Sequence, residues 1–365
     1  MTGIYIHIPF CKSKCPYCDF YSFKADEQTK DSYLRAVLSC LEKYSAKISD
    51  SIDTVYFGGG TPSFFGSERI KAVLAYIKDN YKVTSDAEIT VECNPSSVDE
   101  SLVRELSEAK VNRISMGMQS AVDKERLALG RTSDREKIRD CIMLFREYGI
   151  DNISLDLMLG IPHQTKESLK ESIDFVNEMN VKHVSAYMLK IEEGTAFQQI
   201  KDKLPLPDED QVCDLYLYAV TELEKKGYLQ YEISNFSKKS FESRHNLKYW
   251  RCEEYLGIGP SAHSFVDGKR FFFERNFESF LTGTPPIPDG DGGNEEEYVM
   301  LALRLTEGLQ NERYRMRFGK DIDEKLIKKA LTLEKEGLVT VTDDRIALTV
   351  KGFLVSNSVI SYLLD

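Results

Sequence analysis

IYIHIPFCKSKCPYCDF, residues Ile4–Phe20, places Cys11, Cys15 and Cys18, three of the chain's eight cysteines, on one short loop. The stretch before them alternates, with Ile4, Ile6 and Ile8 on one face and Tyr5 and His7 on the other, which is the pattern of a β-strand. Three thiolates at the end of a strand can hold three irons of a [4Fe–4S] cluster and leave the fourth iron without a protein ligand. Structural zinc is the competing metal, but it takes four protein ligands, often as two separated pairs. No second CxxC pair exists in the chain.

The 365 residues are 42% hydrophobic and 29% charged, as expected of a globular protein with a large core. No apolar run approaches the roughly 20 residues of a membrane span. The first residues enter a strand with no basic leader, so a cytoplasmic location is expected. There, clustered cysteines read as metal ligands rather than disulfides. A formal charge of −11 disfavours a broad nucleic-acid surface, and no nucleic-acid partner is expected.

Strand-like and helix-like segments alternate along the first half. Strands are expected at Ile4–Ile8, Thr54–Phe57, Glu88–Asn94, Arg113–Gln119, Asn152–Gly160 and His183–Lys190. Between them, Leu34, Val37, Leu38 and Leu41 follow helical spacing, as do Ile138, Cys141, Ile142 and Phe145. Ser97, Asp134 and Thr165 are expected helix starts. Six βα units in succession predict a parallel sheet. Buried parallel strands normally read as continuous apolar runs, yet several of these alternate. Glu88, Thr90, Glu92 and Asn94 oppose Ile89, Val91 and Cys93; Ser115, Gly117 and Gln119 oppose Ile114, Met116 and Met118; Asp156 opposes Leu155 and Leu157. Polar faces turned toward a shared interior describe a ligand cavity inside an open barrel.

The ordered motifs YIHIPFCKSKCPYCDF, YFGGGTPS, VECNP, GMQS, LGR and DLMLGIP resemble the radical S-adenosylmethionine (SAM) superfamily. Within it they are similar to the oxygen-independent coproporphyrinogen III oxidase group and its HemW-type heme chaperone branch, over nearly the whole chain. The resemblance implies an α/β fold, a partial (β/α)6 radical SAM barrel with a small C-terminal winged-helix-like α+β domain. It implies a cluster on Cys11, Cys15 and Cys18, whose open iron binds SAM and whose electron cleaves the sulfonium bond to a 5′-deoxyadenosyl radical. The matching SAM positions are Tyr5, Gly59, Gly60, Thr61, Glu92, Gln119, Arg131 and Asp156, with Tyr17 a further one. Domains are expected at 1–200 (barrel and cluster loop), 201–281 (barrel extension), 282–297 (a Pro-, Gly- and Asp-rich linker) and 298–365, a helix, a hairpin turning at Asp343–Asp344 and a final helix.

RHNLKYW, Arg244–Trp250, holds the chain's only tryptophan. A lone histidine among aromatics is commonly a packed, hydrogen-bonded residue. H-N-x-x-Y-W, however, resembles the segment associated with heme binding in the HemW branch. That resemblance implies heme contact by His245, Tyr249 and Trp250, with His245 the axial ligand and Cys252 and His263 as nearby competitors. GIGPSAHSF beyond it is expected to close the site. The partners implied are heme and apo-hemoprotein acceptors, respiratory ones at the membrane among them. The alternative function is oxidative decarboxylation of coproporphyrinogen propionates in porphyrin biosynthesis. Oxidases of the group carry a cysteine two positions after the third, where this chain has Phe20, and a longer N-terminal segment than the one before Cys11. Cys40, Cys93, Cys141 and Cys213 read as core packing, and RYRMRFGK (Arg313–Lys320) as a solvated face.

Overall fold

The computed structural model describes all 365 residues. The alternating segments form six parallel strands, β1 (Thr2–Ile8), β2 (Ile52–Gly59), β3 (Val83–Cys93), β4 (Arg113–Gln119), β5 (Asn152–Leu159) and β6 (His183–Met188). They pair in sequential order. Register carries the alternation across the sheet: Tyr5 lies beside Tyr56, Tyr56 beside Thr90, and Thr90 beside Arg113. One step toward the C-terminal ends, Glu92 lies beside Ser115. The other face is apolar. Ile4, Ile6 and Ile8 are buried in one core with Val37 and Leu41 of the helix Glu27–Ser45. Each such side chain removed from water contributes about 1.5–3 kcal/mol.

Helix starts follow local chemistry. Asp26, Asp134, Thr165 and Asp208 each accept a hydrogen bond from a first-turn backbone N–H, and the last two form capping boxes. Ser97 does not start a helix. It ends a 3-10 turn, Pro95–Ser97, capped by Asn94, and the following helix is capped by Asp99.

The sheet grows at both edges. β7 (Leu229–Gln230) and β8 (Asn235–Ser237) extend it beyond β6, where β8 runs antiparallel. At the other edge β9 (Tyr255–Ile258) pairs parallel to β1. Antiparallel β10 (His263–Val266), β11 (Lys269–Phe272) and β12 (Ile287–Asp291) follow. GIGPSAHSF is therefore a strand turn rather than a closing loop over the site, and the proline-rich stretch 282–297 contains an edge strand. In the C-terminal part, β13 (Leu309–Gln310), β14 (Val339–Val341) and β15 (Arg345–Leu348) form an antiparallel sheet with β15 central. The helices Glu324–Lys335 and Ser356–Leu364 flank it, and its Ile346, Phe353 and Leu363 belong to the same continuous core as the barrel. No helix is long and apolar enough to cross a membrane.

Candidate functional site

The cysteine loop leaves β1 and is pinned at its base. Phe10 and Phe23 bridge the loop's two arms; the Cys11 N–H donates to the Phe23 carbonyl (3.0 Å) and the Phe23 N–H to that of Pro9 (3.0 Å). Phe10 is fully buried against Phe23, Tyr33, Phe65 and Phe277. Farther out, Arg275 clasps the Asp19 carboxylate (3.0 Å). Cys11, Cys15 and Cys18 are half-buried free thiols bordering one cavity of about 500 Å³. The Cys18 thiol is pushed up, by burial first and then by Cys15 and Cys11. No three His, Cys, Asp or Glu side chains converge on a point suited to a single metal ion.

Gly59, Gly60, Thr61, Glu92, Gln119, Arg131, Asp156 and Tyr17 line that same cavity. Thr61 Oγ1 lies 3.3 Å from Cys11 Sγ. Gly60 is there because of a close backbone approach: a Cβ on it would stand 2.8 Å from the Phe10 carbonyl oxygen. Gln119 adopts φ +71° at a register shift in β4. This strained geometry is a feature that clusters at ligand sites. A Cβ on Gly117 would lie 2.9 Å from its Nε2, so that glycine leaves room for the side chain. Arg131 donates from Nε and Nη2 to the Tyr17 hydroxyl (3.2 and 2.9 Å). Tyr5 does not border the cavity; it is half-buried on β1, its hydroxyl 3.0 Å from His7 Nδ1.

Two carboxyls face the interior. Glu92 accepts from the Tyr56 hydroxyl (2.8 Å) and the Gly59 N–H (3.2 Å). Burial pushes it up to about 7, with the Asp156 charge adding to the rise and the Tyr56 and Gly59 hydrogen bonds opposing it. Asp156 accepts from Ser115 (3.3 Å) and is pushed up to about 6, again by burial first. Near neutrality both are poised between an acceptor-only carboxylate and a carboxylic acid able to donate.

RHNLKYW folds as a helix at the opposite, N-terminal end of the strands. Ser243 caps it, and the Arg244 and His245 N–H groups donate to the Glu88 carboxylate (3.1 Å each). His245 is 1% exposed. Its Nδ1 pairs with Thr54 Oγ1 (2.8 Å) and its Nε2 with the Tyr249 hydroxyl (2.9 Å), while the ring stacks on Tyr56. Burial first, then Lys248 and Arg113, lowers it to about 3, so the ring is neutral. An axial-ligand role would require breaking one of these bonds. Trp250 packs under Arg304, its indole N–H buried without a partner. Cys252 is buried beside Arg317, and His263 lies exposed against Phe272. The residue of this segment that does reach the cavity is Asn246. A second cavity, about 680 Å³, opens at this end among Asp86, Glu88, Glu242, Glu307 and the paired Arg244 and Arg251. In the basic run of residues 313–320, Arg313, Arg315 and Lys320 pair with Glu307, Asp321 and Glu295, and Arg317 donates to the Cys252 carbonyl (3.2 Å).

Sequence reasoning did not single out Arg113, Tyr56 or Asn246, which also line the main cavity. The same period-two argument that found Glu92 reaches Arg113, since it shares the face of Ser115 and Gly117.

The family model of the Radical SAM superfamily matches residues 5–176, and that of the HemN C-terminal domain matches residues 296–355. The coproporphyrinogen III oxidase (HemN) of Escherichia coli has the same fold, with a TM-score of 0.85, covering 99% of this chain and 89% of that one at 21% identity. The heme chaperone HemW of Bacillus subtilis (strain 168) is 34% identical over 98% of both chains. That of Escherichia coli (strain K12) is 32% identical over 99% of this chain and 98% of its own. A cysteine loop at the mouth of a six-stranded barrel, the HemN-type C-terminal domain and end-to-end identity of this order agree: the chain belongs to the HemW heme chaperone family of the radical SAM superfamily.

Proposed function

We propose that this protein binds a [4Fe–4S] cluster, SAM and heme, and delivers heme to apo-hemoproteins. The observation that carries the reading is convergence. Three thiols and eight side chains or glycines at SAM-matching positions, contributed by separate βα units, border one cavity. The donor set fits the cluster: three soft thiolates, one short of a structural zinc site, each free to bind a different iron. When bound, the cluster supplies an iron with an open position for the amino and carboxylate groups of SAM, and one electron.

The chain's own residues do the rest. Gly60 lets the end of β2 pack against the Phe10 and Ile8 carbonyls at the base of the cysteine loop, Glu92 and Asp156 accept from hydroxyls, and Arg131 pins the loop through the Tyr17 hydroxyl. Phe20 is 65% exposed at the cavity rim and presents an apolar ring where the oxidase group carries a further cysteine. That residue supports the chaperone reading over propionate decarboxylation. The acidic second cavity is a poor site for a dianionic porphyrin, so it is not proposed to hold heme. The histidine of RHNLKYW serves the barrel floor in this reading, with Asn246 the segment's contribution to the cavity.

Anaerobically reconstituted protein is titrated with hemin and, in parallel, incubated with coproporphyrinogen III, SAM and a reductant. Stoichiometric hemin binding and transfer to an apo-hemoprotein, with no protoporphyrinogen formed, is the expected result. Robust decarboxylation overturns the chaperone assignment.

A further inference from the structure

Arg113 opens β4 and points to the barrel interior, in register with Thr90 and one layer deeper than the Glu92–Ser115 pair. It is 1% exposed, among the largest fully buried side chains of the protein. A buried guanidinium normally has its donors satisfied, because leaving a charged donor unpaired costs several kcal/mol. Here Nε and Nη1 have no hydrogen-bond partner, and neither does the neighbouring Thr90 hydroxyl. Glu88 and Asp156 are the acidic groups nearest in effect. Both are engaged elsewhere, Glu88 with the helix N–H groups and Asp156 with Ser115. Arg113 lines the main cavity, and Asn246 lines it too.

We propose that Arg113 anchors the carboxylate of a ligand at the inner end of this cavity, with Thr90 and Asn246 as flanking polar groups. The geometry selects the chemistry. A guanidinium offers a planar pair of parallel donors that matches a carboxylate. Of the four acidic residues bordering the cavity, Glu92 and Asp156 stand on the strands that flank β4, and a single negative charge suits that inner end better than a dianionic phosphate would. The assignment rests on the reading of this cavity as a SAM and heme site but adds a subsite to it. In that reading the methionine carboxylate goes to iron at the mouth. Arg113, deeper in the barrel, is therefore left for another carboxylate, either a porphyrin propionate or the carboxylate of a second aminoacyl ligand.

The test uses cluster-reconstituted full-length protein and two ligand pairs, hemin against its dimethyl ester and SAM against decarboxylated SAM. Affinities are measured by equilibrium titration for the wild type, Arg113→Gln and Arg113→Lys. In one of the two pairs, the preference for the free acid is expected to fall at least tenfold in Arg113→Gln and to be partly retained in Arg113→Lys. The pair that responds identifies the source of the carboxylate. Equal acid preference in the wild type and both variants overturns the proposal. Should Arg113→Gln not fold, the Lys variant and the wild type decide: an unchanged preference in Arg113→Lys, or no preference for hemin over its ester and for SAM over its decarboxylated form in the wild type, also overturns it. Wild-type protein that binds neither SAM nor hemin defeats the functional reading itself and takes this subsite with it; binding that is indifferent to Arg113 defeats the subsite alone.

Discussion

His245→Ala separates a structural imidazole from an iron ligand. In the folded chain the ring satisfies two buried hydroxyls at once, Thr54 at 2.8 Å and Tyr249 at 2.9 Å, and stacks on Tyr56 with centroids 5.2 Å apart. Truncation leaves both hydroxyls unpaired, at about 1–3 kcal/mol each. It also opens a cavity under Gly3, where a built Cβ already comes within 3.1 Å of the ring. Allowing for partial collapse, the expected loss is about 3–5 kcal/mol. At about 2 °C per kcal/mol for a chain of this size, the midpoint should fall by ~6–10 °C. Calorimetry on heme-free protein measures it, with hemin titration of the same samples. His245→Gln, which can restore one of the two hydrogen bonds, should recover part of the loss. A heme-free midpoint within about 1 °C of wild type, combined with a large loss of hemin affinity, would refute the reasoning: the ring would then be free in the apo protein and recruited by iron.

Four further outcomes follow from the cavity. Replacing Cys11, Cys15 or Cys18 singly with Ala should abolish cluster iron, read by iron content and absorbance, while the midpoint of cluster-free protein stays within about 1 kcal/mol of wild type. The thiols are half-buried, and the loop is held by Phe10 and Phe23 rather than by sulfur. SAM affinity should rise as pH increases through about 6 to 7, because Asp156 and Glu92 must ionise to become full acceptors; Glu92→Gln should flatten the upper part of that profile. The same shifts act oppositely on unliganded stability. Both folded values are raised above the ordinary carboxyl range, so their contribution is fully present at low pH and is lost as pH climbs through 6 to 7. Gly60→Ala forces a methyl group to 2.8 Å from the Phe10 carbonyl and 2.9 Å from that of Ile8. It should destabilise by about 1–3 kcal/mol and lower cluster retention on desalting.

What was legible in the sequence was whatever a local period carries. The alternation in EITVECN and RISMGMQ reports burial on one face and a cavity on the other, and the strands begin and end within a few residues of expectation. Asp134 and Thr165 were legible as caps because each precedes an amphipathic run. Ser97 misled because Asn94 and Pro95 had already closed a turn of their own, leaving Asp99 to cap the helix. The β9–β12 extension was not legible. Strands of four or five residues punctuated by Gly and Pro carry no measurable alternation, and β12 is exposed along its whole length. The placement of RHNLKYW was invisible for a different reason. Its side chains were readable, but nothing local says which end of a barrel a helix closes; partners distant in sequence fix that, among them the Glu88 carboxylate, 156 residues from Arg244, and Asp53 beneath Lys248.

That placement reassigns the work within the barrel. At the C-terminal ends of the strands the chain offers thiols, glycines and poised carboxyls around an accessible cavity. At the other end the helix seals the strands with paired groups: Glu88 takes its first N–H donors, His245 is held between two hydroxyls, and Lys248 is buried on Asp53 at 2.8 Å. A histidine so enclosed would have to give up one of its two hydrogen bonds, to Thr54 or to Tyr249, before it could meet iron. On the proposed reading, a heme held at the mouth would need no such step and would leave the floor intact. The asymmetry has an experimental signature. Substitutions on the helix's inward face should register first as lost stability, and those around the cysteine loop first as lost ligand. Arg113 and Asn246 stand between the two regimes, because they lie at the depth where the floor becomes the cavity wall.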